Sequence, residues 1–235
     1  MNEATPRSSK FSQWLGVLLF AVAMAWVESA VVLYLRSLSG EFDPYEPAPL
    51  LLEAGLLRAE MVREAATLVM LGSVGWLAGQ TRRSRAALAI VAFGTWDIFY
   101  YVFLVPLTGW PRSLLDWDIL FLLPLPWWGP VLAPMLIASL MVAGGTLVAL
   151  RDSPQRPVWP SRYTSLAALI GGTVALYVFM EDALRALPKG VDRLVDLRPE
   201  RFDWPLFLLA LAFMSAPVVE LAWRPKTSAN VRQIS

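Results

Sequence analysis

The stretch FGTWDIFYYVFLVP, Phe93 to Pro106, decides how this chain is read. It holds one charged side chain, Asp97, and no basic residue to answer it. With the residues before it, the apolar run from about 86 to 107 is long enough to cross roughly 30 Å of hydrocarbon at about 1.5 Å per helical residue. Working outward, runs of similar length fall at about 13–36, 61–79, 128–150, 163–187 and 204–223. The expectation is an all-α polytopic membrane helix bundle: one transmembrane domain over residues 1–235, six transmembrane helices, and one short interfacial or re-entrant segment.

Composition agrees. Of 235 residues, 57% are hydrophobic and 17% charged, with a mean hydropathy of +0.52, more apolar than a soluble domain of this size can carry. A net charge of +1 without a Lys/Arg run gives no footprint for nucleic acid, which is not expected as a partner. Cysteine and histidine are both absent, which removes the usual ligands of haem, zinc and iron–sulfur clusters, the thiol nucleophile and the imidazole base. No cofactor is expected, although Mg²⁺ or Ca²⁺ held by oxygens stays open. A signal peptide cleaved near AVAMA (Ala21 to Ala25) is disfavoured because the apolar run continues to Leu35, so the first span reads as a retained anchor.

Between spans three and four, RSLLDWDILFLLPLP (Arg112 to Pro126) and the prolines that follow it, Pro130 and Pro134, interrupt a stretch too long for one straight crossing. The segment is expected to be interfacial or re-entrant, with span four beginning at Trp128. PLPWWGPVLAP could alternatively be a broken helix whose N-terminus points at an anionic group. Orientation follows from the loop basics. With the N-terminus inside, 11 of the 20 Lys and Arg fall on the inner side, nearly free of acids, whereas the nine outer ones are mixed with Glu and Asp. Both termini are therefore expected in the cytoplasm. Trp14, Trp76, Trp159 and Trp223 mark one interface, and Trp110, Trp117, Trp127, Trp128 and Trp204 the other. The outer loops Ser37 to Glu60 and Pro188 to Asp203 read as caps.

On this topology the charges inside the spans gather in the outer half: Glu28 in span one; Glu60, Arg63 and Glu64 in span two; Asp97, Tyr100 and Tyr101 in span three; Glu181, Asp182 and Arg185 in span five. A charge at membrane depth costs about 2.5–3.5 kcal/mol on insertion scales and normally has a partner. Glu181 and Asp182 can pair with Arg185, Glu60 with Arg63, and Arg112 with Asp116 along one helix. Glu28 and Asp97 have no base at helical spacing, so their partners must be tertiary. Arg63, whose planar fork can bridge two carboxylates, is the first candidate, with Arg36 and Arg185 behind it. Tyr100 and Tyr101 share the Asp97 face. The expected ligand-binding set is Glu28, Arg63, Glu64, Asp97, Tyr100, Tyr101 and Asp182. A purely structural Glu–Arg–Asp network is the competing reading. Glu220, near the inner end of span six, can snorkel and reads as unimportant, and the inner half reads as nearly free of ionisable groups. Gly144–Gly145 and Gly171–Gly172, at matched depth, predict a close seam between spans four and five.

The segments VREAATLVMLGSVGWLAG (62–79), FGTWDIFYYVFL (93–104) and WDILFLLPLPWWGPVLAP (117–134) resemble those of a family of bacterial six-span membrane proteins of unknown function. The resemblance implies a bacterial inner-membrane setting and the same fold, and brings no activity with it. Three functions compete: binding or transport of a small polar ligand, cation or lipid head group; a lipid-active intramembrane enzyme using Asp97 or Glu28 as base; and an accessory or assembly subunit of a membrane complex. Membrane lipids are the expected partners, with room for a membrane-protein partner or a homo-oligomer. The dry inner half counts against full alternating access.

Overall fold

In a computed structural model, which describes residues 7–39, 54–189 and 201–224, six long helices follow one another: α1 (Arg7–Ser39), α2 (Ala54–Ala78), α3 (Arg82–Thr108), α4 (Leu132–Arg151), α5 (Arg162–Ala186) and α6 (Trp204–Trp223). All six are long and apolar enough to cross a membrane, and the chain is a multi-pass membrane protein. The expected outer caps fall largely on residues 40–53 and 190–200, outside the described residues, as does the side chain of Arg36.

Local signals set the helix ends. Thr81 caps α3, accepting from the Ser84 N–H while the Ser84 hydroxyl accepts from the Thr81 N–H. Gly109 ends α3 at φ 71° with its N–H on Val105 O, a left-handed turn that glycine takes without a Cβ clash. Ser161 caps α5; Asp203 caps α6, with Pro205 in its first turn.

The segment between α3 and α4 is neither a helix nor a surface crossing. Strand β1 (Trp117–Phe121) pairs antiparallel with β2 (Trp127–Pro130), Trp117 facing Pro130 and Phe121 facing Trp127. Prolines explain the departure from the expected span four. Pro124, Pro126 and Pro130 cannot donate N–H groups, and each drives its predecessor toward extended backbone, so the chain runs as strand until Val131 and α4 starts at Leu132 rather than Trp128. The broken-helix alternative is overturned on the same ground. The hairpin is re-entrant. Its Phe121 ring lies 6.1 Å from Phe93 and 6.2 Å from Trp96, and Phe93 stands about 22 Å down the helix from the Thr108 end at 1.5 Å per residue. Irregular backbone at that depth survives because protein surrounds it.

Helix α3 packs against α1, α2 and α4, while α5 pairs with α6 and joins the rest through α4–α6 and α5–β2 contacts. Val17, Ala21 and Ala25 on α1 meet Leu71 of α2 and Leu88, Ala92 and Trp96 of α3 in one core; Phe179, Phe207 and Ala210 form another beneath the hairpin. The expected α4–α5 glycine seam is absent from these contacts. A Cβ on Gly145 would lie 2.7 Å from Ala87 O of α3, and one on Gly171 2.5 Å from Ala210 O of α6; Gly144 looks toward Val218 of α6, and Gly172 meets nothing within 4 Å. Each glycine pair marks a close crossing, but not with the other: Gly145 meets α3, while Gly144 and Gly171 meet α6, which packs against both α4 and α5.

The basic end holds more charge than expected. Buried Asp152, just after α4, accepts from Arg83 Nε at 2.7 Å, from the Val158 N–H at 2.9 Å and from Thr81 Oγ1, while Lys10 donates to its carbonyl. Glu220, expected to be unimportant, accepts from the Ser161 N–H at 3.0 and 3.2 Å and from Thr164 Oγ1, and pairs with Arg224. It ties α6 to the start of α5.

Candidate functional site

At the opposite end, α1, α2, α3 and the hairpin enclose a partly open cavity of about 240 Å³. Helix periodicity builds its walls. Glu28, Val32 and Leu35 on α1, and Glu60, Arg63, Glu64 and Thr67 on α2, follow the i, i+3, i+4, i+7 spacing of one helix face. Trp96, Asp97, Tyr100 and Tyr101 come from α3, and β1 with the following loop adds Asp118 through Leu122.

Six of the seven expected residues meet here: Glu28, Arg63, Glu64, Asp97, Tyr100 and Tyr101. Asp182 does not. It shares their depth on a helix whose contacts run to α6 and β2, away from this cavity; its neighbour Glu181 pairs with Arg185 at 2.6 Å.

Arg63 does bridge two carboxylates, but they are Glu28 and Glu60 rather than Glu28 and Asp97. Its Nε donates to Glu60 Oε2 at 2.9 Å, and Thr67 Oγ1 donates to Glu28 Oε2 at 3.4 Å. Glu28 is only 6% exposed, so its charge is desolvated and needs this partner, whose own side chain stays partly exposed. Ser29 Oγ, next along α1, reaches Tyr100 O at 3.0 Å and fixes α1 to α3. Both Glu64 oxygens accept the Leu122 N–H, at 3.1 and 3.0 Å, an anchor that holds the hairpin tip to α2.

Sequence reading missed Asp118. It lies in a segment whose depth sequence does not give, yet in β1 it accepts the hydroxyl of Tyr101 at 3.0 Å, one of the two phenols that share a helix face with Asp97. Asp97 lines the cavity without a hydrogen-bond donor or a cation on its carboxylate among the described residues. Beside it, Trp96 is 6% exposed and its indole N–H has no partner. Rings continue along the wall: Trp96 stacks on Tyr100 at 6.3 Å, and Tyr100 meets Tyr101 edge-on at 5.0 Å.

Among the described residues, five carboxylates (Glu28, Glu60, Glu64, Asp97, Asp118) therefore line the cavity with one guanidinium that two of them already hold. Among the described residues no three acids converge as the ligands of a metal ion do. Compared with known protein families, characterised proteins and solved structures, the chain matches none.

Proposed function

We propose that the protein binds a small cation in this cavity, reached from the extracytoplasmic face of a bacterial inner membrane, with both termini in the cytoplasm. One observation carries the reading: among the described residues, five acids and one arginine line a cavity in which no donor or cation meets Asp97. An unpaired carboxylate at membrane depth is costly unless water or a cation meets it. The orientation rests on the acid-poor basic loops at the far end. Binding is favoured over conduction because, beyond the cavity, Val17, Ala21, Leu71, Leu88 and Ala92 fill the space between the helices.

A structural network within a larger complex is the second reading, favoured by the bonds that Glu28, Glu60 and Glu64 make inside the protein. Thermal unfolding of the purified chain in detergent, titrated with K⁺, Mg²⁺, Ca²⁺ and small organic ammonium ions, separates the two. Binding predicts a saturable rise in Tm for at least one cation, about 2.7 kcal/mol at a hundredfold excess over Kd, and its loss in Asp97→Asn. If none of these cations raises Tm, the structural reading stands instead.

A further inference from the structure

We infer that an anionic phospholipid seats one acyl chain in a cleft between α4, α5 and α6, with its phosphate on Arg151 at the basic end of the molecule. The cleft is separate from the cation cavity, which lies at the other end. Where sequence leads one to expect an α4–α5 seam, both helices pack on α6, and the gap between them is a cleft of about 280 Å³ with α3 at its back. Its walls are apolar apart from Ser165 and the indole of Trp159. Trp159 is 40% exposed, and a tryptophan at the end of a span marks the level of the lipid head groups. From Leu140, the lining residue of α4 farthest from that level, to Arg151 the helix rises about 16 Å at 1.5 Å per residue, close to half of the roughly 30 Å hydrocarbon core. The cleft therefore runs the depth of one leaflet, as an acyl chain does.

The same helix faces carry the charge that selects the head group. Gly144 and Val148 on α4 lead to Arg151, and Pro217 and Leu221 on α6 lead to Arg224, each at the i, i+4, i+7 spacing of one face. Both guanidiniums stand at the mouth: Arg151 Nη1 donates to Leu221 O at 2.7 Å and Arg224 Nη1 to Trp159 O at 2.8 Å, and Leu221 and Trp159 line the cleft. Arg224 is already paired with Glu220, whose other bonds go to the start of α5, and Arg83 with Asp152. Arg151 is half-buried, and among the described residues no carboxylate pairs with it. The Leu221 carbonyl takes one of its five donors, which leaves the rest of the planar fork to a phosphate. Basic pockets between spans at the head-group level suit anionic lipids for this reason. A partner helix could answer Arg151 only by bringing its own acid to that level; an anionic lipid has its charge there by construction.

The test uses the full chain in a neutral maltoside detergent, read by Tm. Oleoyl lysophosphatidylglycerol, with one chain and one negative charge, should raise Tm saturably. Monooleoylglycerol, the same chain without charge, should bind at least about 10-fold more weakly, the worth of a hydrogen bond to a charged group. Glycerol phosphate, the charge without the chain, should do nothing. Arg151→Gln should bring the charged lipid down to the affinity of the neutral one, whereas Arg156→Gln, in the exposed α4–α5 loop, should leave the preference intact. Ala168→Leu, which fills the cleft from α5, should weaken both lipids. Should Arg151→Gln fail to fold, Ala168→Leu and the two lipids on the unaltered protein still decide. Equal affinity for the two lipids overturns the inference, and so does a preference that survives Arg151→Gln or falls as much with Arg156→Gln. No response to either lipid overturns it as well and leaves the cleft to a protein partner. None of these results bears on the cation reading, which is tested at Asp97.

Discussion

Arg63 and Asp97 make opposite predictions although both are charges in the same cavity. Removing Arg63 strands Glu28, which is 6% exposed, and Glu60. Breaking a buried pair from one side costs about 3–5 kcal/mol, so Arg63→Gln should lower Tm severely, and adding Glu28→Gln should recover part of the loss, as a double-mutant cycle in detergent would show. Asp97→Asn strands nothing, because no described donor or cation leans on that carboxylate. Its Tm without ligand should stay at or above that of the unaltered protein, and a loss like that of Arg63→Gln would place Asp97 in the structural network. Most of the cavity's charged members were legible because a charge in an apolar run is conspicuous in any sequence; Asp118, in a segment without helical period, was not. Two of the Arg63 pairs were legible as well, Glu60 by its i+3 spacing and Glu28 as a tertiary partner. The place of Asp97 was not, because the rotation of α2 against α3 decides whether it reaches Arg63. Asp182 failed for a related reason: depth along a helix can be counted from sequence, but direction around it depends on which neighbour it meets.

Among the elements, the helices were readable and the hairpin was not. Twenty apolar residues specify a span almost regardless of context, whereas β1 and β2 are short, their prolines signal only an interruption, and burial among α2, α3 and α5 decides the rest. The glycine pairs show the same limit. They announce close approach without naming the partner, and α6, last in the chain, packs against both of the helices that carry them. Gly145→Leu and Gly171→Leu should each destabilise by at least the 1–3 kcal/mol typical of overpacking, about what a few degrees of Tm reports, since backbone carbonyls bar the new side chain. Gly172→Leu should be near neutral by the same measurement, because nothing lies within 4 Å of its Cβ position. Equal losses at Gly171 and Gly172 would contradict this arrangement of α5 and α6.

For the whole molecule, the two ends differ in charge and in construction. The absence of cysteine makes the proposed orientation easy to test with single cysteines at exposed positions. Ser113→Cys, in the segment before the hairpin, should react with a membrane-impermeant maleimide in intact spheroplasts, and Gln155→Cys, in the basic α4–α5 loop, only after lysis; the reverse pattern would turn the cavity toward the cytoplasm. The Asp152 cluster fastens α1, the α2–α3 turn and the α4–α5 loop at a single residue, α1 through the backbone carbonyl and the others through the carboxylate, and it lies at the end away from the cavity. Mechanically, this is a pivot with long arms. From Lys10 to Glu28, α1 runs about 27 Å at 1.5 Å per residue, so a tilt of about 3° at the pivot carries Glu28 about 1.4 Å. The Ser29–Tyr100 and Glu28–Arg63 contacts stand where that leverage is greatest, so two side-chain bonds, and not the helices, set the width of the cavity.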